Sequence, residues 1–458
     1  MVGLWLRKMR KICFLFLFFL FTSTIANALT IYEVIEKIVN NSPELRVIFE
    51  KKNQSVEDYK DQKSGYLPKI YIILNREYDK NDPLVSSQES SWQSLNKFQM
   101  ILEQRIFDME QVTKIVKSTQ MLQSQEFQNQ KLLETLIQLA IAAYYDVIQG
   151  EYIVSINKEY LRQVKEVEEL TVKMRKQGDA TLGDVNLVQS RLAGANSNLI
   201  IAQSALDKAK MRLSYLLNLI DKNQISAASS LLPELSNKDF YDLGDKIVNL
   251  IPLTPDALLT RVMSGNIDIL TYRSNLCVAG YDVEIQKSRY LPVINFSSEL
   301  NSEEVINNQG FNRYLKATVE ARYTIYDGGS RASGVRKFSS SLKELEYQYD
   351  ILVRDTSDEA YSSLNLLKSY EQQRISVLRE IETSEEVDRV YSIQFRFASR
   401  TLIERLDNLE RLGNARIKLV SLDYNILLMR INLLILMGNF VEFFGFQNYL
   451  EVSSLRLC

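Results

Sequence analysis

Residues 289–329 read RYLPVINFSSELNSEEVINNQGFNRYLKATVEARYTIYDGG, and this stretch decides the fold. From Leu315 to Tyr326 apolar and polar side chains alternate, which is typical of a β-strand with one apolar and one polar face. The residues from Ile294 to Leu300 alternate in the same way, and a polar turn rich in Asn, Glu and Gly separates the two runs. The sequence therefore predicts a hairpin with strands at about 291–301 and 313–327.

A similar segment occurs earlier in the chain, so the protein is an internal duplication. The matching positions are Lys63, Ser64, Tyr66, Leu67 and Pro68 in the first copy and Lys287, Ser288, Tyr290, Leu291 and Pro292 in the second. Behind the first copy, alternation predicts a second hairpin with strands at about 67–78 and 95–107. Each of the four strands has the length of a transmembrane β-strand, about 9 to 11 residues.

Long helices are predicted beside both hairpins. Residues 110–177 contain no proline, and at 1.5 Å per residue a helix of this length spans on the order of 100 Å. The next helix carries apolar residues at alternating spacings of 3 and 4, which form the seam of a coiled coil. The seam comprises Val185, Val188, Leu192, Ala195, Leu199, Ala202, Leu206, Ala209, Leu213 and Leu216. Leu412 to Leu436 repeat it 220 positions later. For each repeat, the pattern therefore predicts a layer of antiparallel helices with a two-stranded hairpin at one end.

The first 28 residues have the pattern of a secretory signal peptide. Basic residues precede an apolar core from Ile12 to Phe21, and Ala26-Asn27-Ala28 supplies the small-x-small cleavage pattern. Beyond this segment we expect no apolar run of membrane-spanning length. A mature chain that crosses a bilayer would then have to do so as a closed β-barrel.

The composition argues against an enzyme and against a nucleic-acid surface. The chain has no histidine and three cysteines, which excludes histidine-based catalysis and Cys/His metal sites. Lys and Arg number 55 against 57 Asp and Glu, so no basic excess favours nucleic acid. We therefore expect no cofactor and no metal.

These patterns divide the chain into five parts. They are a signal peptide at 1–28, a first repeat at 29–217, an inter-repeat segment at 218–257, a second repeat at 258–438 and a C-terminal segment at 439–458. The inter-repeat segment loses the heptads and contains helix-breaking proline and glycine. We interpret it and the C-terminal segment as a collar on the outside of the helices, with a flexible linker as the alternative.

The order of these elements resembles the TolC family of outer-membrane efflux proteins. The resemblance rests on the signal peptide, the Tyr-Leu-Pro step before each hairpin, the long helices and the ending Tyr326-Asp327-Gly328-Gly329. It implies a mainly α fold with a transmembrane β part: a periplasmic α-barrel of antiparallel coiled-coil helices continued by a trimeric, 12-stranded outer-membrane β-barrel, four strands per chain. It further implies an exit duct for small molecules or, in type I secretion, polypeptides. The implied partners are a periplasmic adaptor (membrane fusion protein) and an inner-membrane transporter.

The resemblance also places a periplasmic gate in the stretch Ala398 to Asp407, which is similar to the tip motif of the family. It implies that Glu404 and Asp407 face the lumen as acidic rings, and that Arg400 ties this helix to its neighbours. Asp184 matches the position of an acidic gate partner, and Phe395 stands where the family can have a tyrosine that forms a hydrogen bond across the tip. The alternative for the acidic pair is an ordinary solvated helix face.

A rival function from another class is a periplasmic coiled-coil adaptor or scaffold without a pore. It would explain the heptads and the export signal. It would not explain two hairpins with an apolar outer face at the same place in both repeats.

Overall fold

The structure is a computed structural model that describes residues 30–81, 91–218, 239–252, 254–305, 310–396 and 401–446. The predicted signal peptide and the end of the C-terminal segment lie outside the described residues. The chain forms two compact units, each assembled from separate stretches. Of the described residues, the helical unit contains those up to Leu45 and those within Leu133–Leu259 and Ala360–Phe444. The sheet unit contains the described residues within Arg46–Leu132 and Thr260–Glu359 and those after Phe444.

Helices make up most of the described chain. In the first repeat they are α1 (Ile31–Asn41), α2 (Pro43–Ser64), α3 (Met109–Gln177) and α4 (Leu182–Leu216). They continue with α5 (Asp239–Val248), α6 (Pro255–Gly265), α7 (Ile267–Ser288), α8 (Ser330–Arg396), α9 (Leu402–Leu436) and α10 (Phe440–Phe443). The 69 residues of α3 and the 67 residues of α8 confirm that each hairpin is followed by a very long helix.

The sheet unit contains a four-stranded antiparallel sheet. Its strands are β1 (Lys69–Asn81), β2 (Ser91–Phe107), β3 (Val293–Val305) and β4 (Gly310–Arg322), in the order β1-β2-β3-β4. The pairing of β2 with β3 joins the hairpins of the two repeats.

The last strand is shorter than the alternation in the sequence suggests. β4 leaves the ladder at Arg322, which pairs with Val293. The partner of the next residue would be Pro292, which has no backbone N–H to donate, so the ladder ends there. Tyr323, Ile325 and Tyr326 lie exposed beyond it.

One face of the sheet is apolar and uncovered. Its cross-strand rows include Ile72, Met100, Leu300 and Leu315 in one row and Phe296 and Val319 in another. Leu315 is 72% exposed and Val319 is 69% exposed within the chain. A contiguous apolar face of this kind needs a partner other than water.

The opposite face of the sheet carries polar side chains that bond to one another across the strands. Gln99 Nε2 donates to Glu299 Oε1 at 2.8 Å, and Asn301 Nδ2 donates to the hydroxyl oxygen of Tyr314 at 2.7 Å. Lys97 Nζ lies 3.3 Å from Glu303 Oε1. The predicted division into an apolar and a polar face is therefore present in β2, β3 and β4.

Two glycines turn the chain from β4 toward α8. Gly328 and Gly329 have φ of 68° and 87°, in the left-handed region that favours glycine. The carboxylate of Asp327 then accepts from the backbone N–H groups of Gly329 at 3.0 Å and Arg331 at 2.9 Å. The Asp-Gly-Gly sequence thus supplies both the turn and the acceptor for the first N–H groups of the helix.

The core of the helical unit lies along the coiled-coil seams. Its largest fully buried side chains include Tyr144, Tyr145, Phe440, Ile31, Ile35, Ile38, Ile137, Ile141, Ile148 and Leu213. The rings of Tyr144 and Tyr145 meet edge to face, with centroids 5.3 Å apart. Across the repeats, the hydroxyl of Tyr424 donates to Asp146 Oδ1 at 2.7 Å. Helix α9 of the second repeat therefore contacts α3 of the first repeat.

The described part of the inter-repeat segment packs against this core. Leu243 and Ile247 of α5 are buried. Arg430 of α9 donates to the carbonyl oxygen of Gly244 at 3.3 Å and to Glu371 Oε1 at 2.8 Å. These contacts favour the collar over the flexible linker for residues 239–252, whereas residues 219–238 lie outside the described part.

One expectation from the sequence is wrong. Helix α9 is long and apolar enough to cross a membrane by length and composition, and 44% of its most apolar stretch is buried inside the chain. The physical reason for this apolar composition is that α9 is buried at positions beside its seam as well as along it. Besides the seam residue Leu433, the neighbouring positions Leu427, Ile431 and Leu434 are buried.

Candidate functional site

The two coiled-coil helices α4 and α9 begin with the same hydrogen-bonded cap. At the start of α4, Asp184 Oδ2 accepts from the backbone N–H of Thr181 at 2.8 Å and from its hydroxyl at 2.7 Å. At the start of α9, Glu404 Oε2 accepts from the same two groups of Thr401, at 3.2 Å and 2.8 Å. Each threonine hydroxyl oxygen in return accepts from the backbone N–H of its acidic partner. Both helices thus begin with a capping box, which supplies partners for N–H groups that the helix itself leaves unpaired.

The cap also changes the acidity of Asp184. Hydrogen bonds from the backbone N–H and the hydroxyl of Thr181 hold the pKa of the carboxyl group below its ordinary value. The cause is direct, because donors that point at the ionised form favour it. Asp184 therefore remains an anion even in mildly acidic solution.

Asp407 lies three residues after Glu404 on α9 and forms an ion pair with a residue of the other repeat. Arg191 of α4 donates through Nη2 to Asp407 Oδ1 at 2.9 Å. The second terminal nitrogen of the same guanidinium group donates to Glu410 Oε2. The sequence predicted neither Arg191 nor Glu410 as a site residue, since nothing in the spacing pairs a residue of the first repeat with one of the second.

Phe395 lies in an apolar cluster between the repeats. It is 4% exposed and belongs to a cluster whose other buried members are Val164, Val167, Val188, Leu402, Leu406 and Leu409. The guanidinium carbon of Arg405 lies 5.3 Å from the centroid of the Phe395 ring. A phenylalanine has no hydroxyl group, so at this position the side chain contributes packing and cannot form a hydrogen bond across the tip.

A half-buried carboxyl group lies in the same part of the helical unit. Burial raises the pKa of Asp388 above its ordinary value, although the positive charges of Arg405 and Arg416 act in the opposite direction. Arg416 itself pairs with Glu385 at 2.6 Å. These charges line the junction of α8 and α9.

Four of the five predicted site residues lie in the described part of the helical unit. Asp184 and Glu404 cap equivalent helices, Asp407 pairs across the repeats, and Phe395 packs in the cluster beside them. Arg400 lies outside the described residues. The capping boxes had a visible signal in the sequence, because Thr-x-x-Asp and Thr-x-x-Glu each precede a heptad seam.

Comparison with protein families gives a match to the model described as "Outer membrane efflux protein" over residues 258–439. Among characterised proteins, the chain is 21% identical to the outer membrane protein TolC of Escherichia coli K12 over 449 residues. That alignment spans 92% of this chain and 84% of TolC. It is 22% identical to the outer membrane efflux protein BepC of Brucella suis over 315 residues, covering 67% of this chain and 63% of BepC.

Solved structures have the same fold over nearly the whole chain. The Campylobacter jejuni CmeC outer membrane channel superimposes with a TM-score of 0.76 at 14% identity, covering 90% of this chain and 86% of CmeC. The open state of the Neisseria gonorrhoeae MtrE outer membrane channel superimposes with a TM-score of 0.70 at 12% identity, covering 90% of this chain and 89% of MtrE.

Proposed function

We propose that the chain is a member of the TolC family and forms the outer-membrane exit duct of a tripartite efflux or type I secretion system. The match to the outer membrane efflux model over residues 258–439 and the similarity to TolC support this proposal. It lies in the outer membrane of a Gram-negative bacterium and extends a large helical part into the periplasm. Its partners are a periplasmic adaptor and an inner-membrane transporter, and its cargo, small molecules or polypeptides, is the cargo of that transporter.

The observation that carries this proposal is the two-faced sheet. Its apolar face is uncovered in the single chain, and its opposite face is lined by charged and amide side chains. A membrane barrel requires this arrangement, with apolar residues toward lipid and polar residues toward a water-filled lumen. A coiled-coil adaptor without a pore would leave the apolar face in water at a large cost in free energy.

Four strands cannot close around a lumen, so the proposal requires several copies. β1 and β4 form the edges of the described sheet, and an edge strand presents unpaired backbone groups that lipid cannot satisfy. Three copies of four strands give the 12-stranded barrel that the family resemblance implies. We therefore propose a homotrimer.

We further propose that the gate lies where α4 and α9 begin. In this proposal Glu404 and Asp407 face the lumen, while Asp184, Phe395 and Arg400 hold the tip helices in their closed arrangement. The capping boxes support it because they fix the direction in which each helix leaves the tip. Phe395 supports it through packing with α3 and α9.

The experiment is purification from the outer-membrane fraction followed by crosslinking in mild detergent and reconstitution into planar bilayers. We expect a crosslinked trimer and discrete channel conductance. A monomer in the soluble periplasmic fraction that gives no conductance would overturn the duct and favour the adaptor.

A further inference from the structure

Arg191 joins two helices that belong to different repeats. Its guanidinium group reaches from α4 to two carboxylates of α9, Asp407 at 2.9 Å and Glu410, which lie three residues apart on one face of the helix. The side chains of Arg191, Asp407 and Glu410 are 37%, 48% and 44% exposed, so the group lies at the surface of the helical unit.

Two other arginines of the helical unit, Arg162 and Arg416, form ion pairs within one repeat. Arg162 pairs with Glu159 and Glu166, which lie on its own helix α3. Arg416 pairs with Glu385 of α8, which precedes α9 in the same repeat. The Arg191 pairs bridge the repeats beside the cluster of Phe395, in which Leu187 and Leu192 of α4 also pack.

The chemistry of the side chain suits this bridge. A guanidinium group offers donors in a rigid plane, so that one arginine holds two carboxylates at once, whereas a lysine ammonium acts as a point charge. The positive charge of Arg191 also lies beside the acidic residues of α9, which include Glu404, three residues before Asp407.

We propose that Arg191 is a latch between the repeats, which holds α9 against α4 in the closed channel and offsets part of the negative charge at the tip. This proposal rests on the proposed channel function. Opening the tip separates α4 from α9 and breaks both ion pairs in every chain. Asp407 then carries an uncompensated charge toward the lumen, so the same residue links gating to ion selectivity.

The test compares Arg191→Gln with Arg162→Gln in planar bilayers. Both substitutions remove one exposed arginine and two ion pairs, but only the first removes pairs that join the repeats. An exposed ion pair contributes little free energy by itself, but the contributions of the three chains of the proposed trimer add up. We therefore expect Arg191→Gln to raise the open probability of the channel about tenfold. It should also strengthen cation selectivity, whereas Arg162→Gln should behave as wild type.

A crosslink separates a latch from a general loss of stability. Arg191→Cys with Asp407→Cys, in a chain with Cys277→Ser and Cys458→Ser, should conduct little when a bifunctional thiosulfonate reagent joins the two thiols, and should recover when a reductant is added. Equal conductance of Arg191→Gln and wild type, or a crosslinked double mutant that still opens, would overturn the latch. Wild-type protein that forms no channel at all would overturn the proposed function instead.

Discussion

Glu404 Oε2 accepts hydrogen bonds from both the backbone N–H and the hydroxyl of Thr401, at 3.2 Å and 2.8 Å. Asp184 makes the same pair of contacts with Thr181, 220 positions earlier. The duplication therefore preserves a short hydrogen-bonded cap as well as the long seams. Since each acidic side chain accepts hydrogen bonds from the threonine at the start of its own helix, both carboxylates are held at those helix starts.

Thr401→Ala should loosen the start of α9. The change removes the hydroxyl that donates to Glu404 and accepts from its backbone N–H, and loss of such a cap costs about 1 kcal/mol. The measurement is hydrogen exchange of the backbone N–H groups in the first turns of α9. Thr383→Ala is the matched control, since the Thr383 hydroxyl bonds only to carbonyl groups of its own helix, at 2.9 Å and 3.1 Å. If both variants exchange alike, the cap does not stabilise the tip.

The start of α4 should weaken in acid. The pKa of Asp184 is lower in the folded chain than its ordinary value of 3.8, so its contribution to stability is fully present above that pH. It is lost as the pH falls below 3.8 and through the folded-state pKa. Hydrogen exchange at the start of α4, corrected for intrinsic rates, should therefore accelerate in this range. Asp184→Asn cannot titrate and should lack the step; a step that persists in this variant would assign it to another group.

Much of this fold follows from local patterns in the sequence. The spacing from Val185 to Leu216 depends on neighbours along one helix, and the alternation from Leu315 depends on neighbours along one strand, so both can be recognised without a structure. The end of β4 depends instead on Pro292 in the partner strand. The prediction from the sequence underestimated how apolar α9 is, because it counted only the seam positions and not the buried positions beside them.

The site was less accessible to sequence reasoning for the same reason. Arg191 and Asp407 are 216 residues apart in the chain, and only packing of the two repeats brings them together. Glu404 and Asp184 could be aligned through the duplication. Their hydrogen bonds to Thr401 and Thr181 were also signalled by the Thr-x-x-Asp and Thr-x-x-Glu patterns, which the prediction from the sequence did not use. The sequence shows which charged residues lie near the start of α9, and the structure shows which of them are paired.

The acidic residues of α9 should set ion selectivity. Two carboxylates from each of three chains would place six negative charges around the constriction, and such a ring attracts cations, multivalent ones most strongly. Glu404→Ala with Asp407→Ala should therefore weaken both cation selectivity and block by multivalent cations. Reversal potentials in a salt gradient measure the first effect, and titration with a trivalent cation measures the second. Glu442→Ala, on α10, is the control. Unchanged selectivity and block in the double variant would leave the carboxylates on a solvated face.

Arg400→Ser should raise single-channel conductance and largely keep the selectivity. Arg400 lies four residues before Glu404, and a charge-assisted bond from a guanidinium group to a neighbouring helix is worth about 1.5 to 3 kcal/mol when partly buried. Loss of three copies would favour the open state without removing an acidic charge from the lumen. Single-channel recordings give both quantities in one experiment. A change in selectivity with no change in conductance would assign Arg400 to the pore lining.

The two faces of β4 should respond differently to the same charge. Val319 lies on the apolar face, in the cross-strand row of Phe296, and is 69% exposed in the single chain. Thr318 lies on the opposite face, in the row of Ser297 and Glu103. An arginine at Val319 would have to enter lipid, at a cost of about 2 to 4 kcal/mol near the bilayer midplane. An arginine at Thr318 would enter the water-filled lumen with a carboxylate in the same row, so Thr318→Arg should fold as wild type. The measurement is the folded fraction of each variant in lipid vesicles across a urea series, with Thr318→Arg as the matched control for Val319→Arg. Equal folding defects in the two variants would mean that the apolar face does not meet lipid.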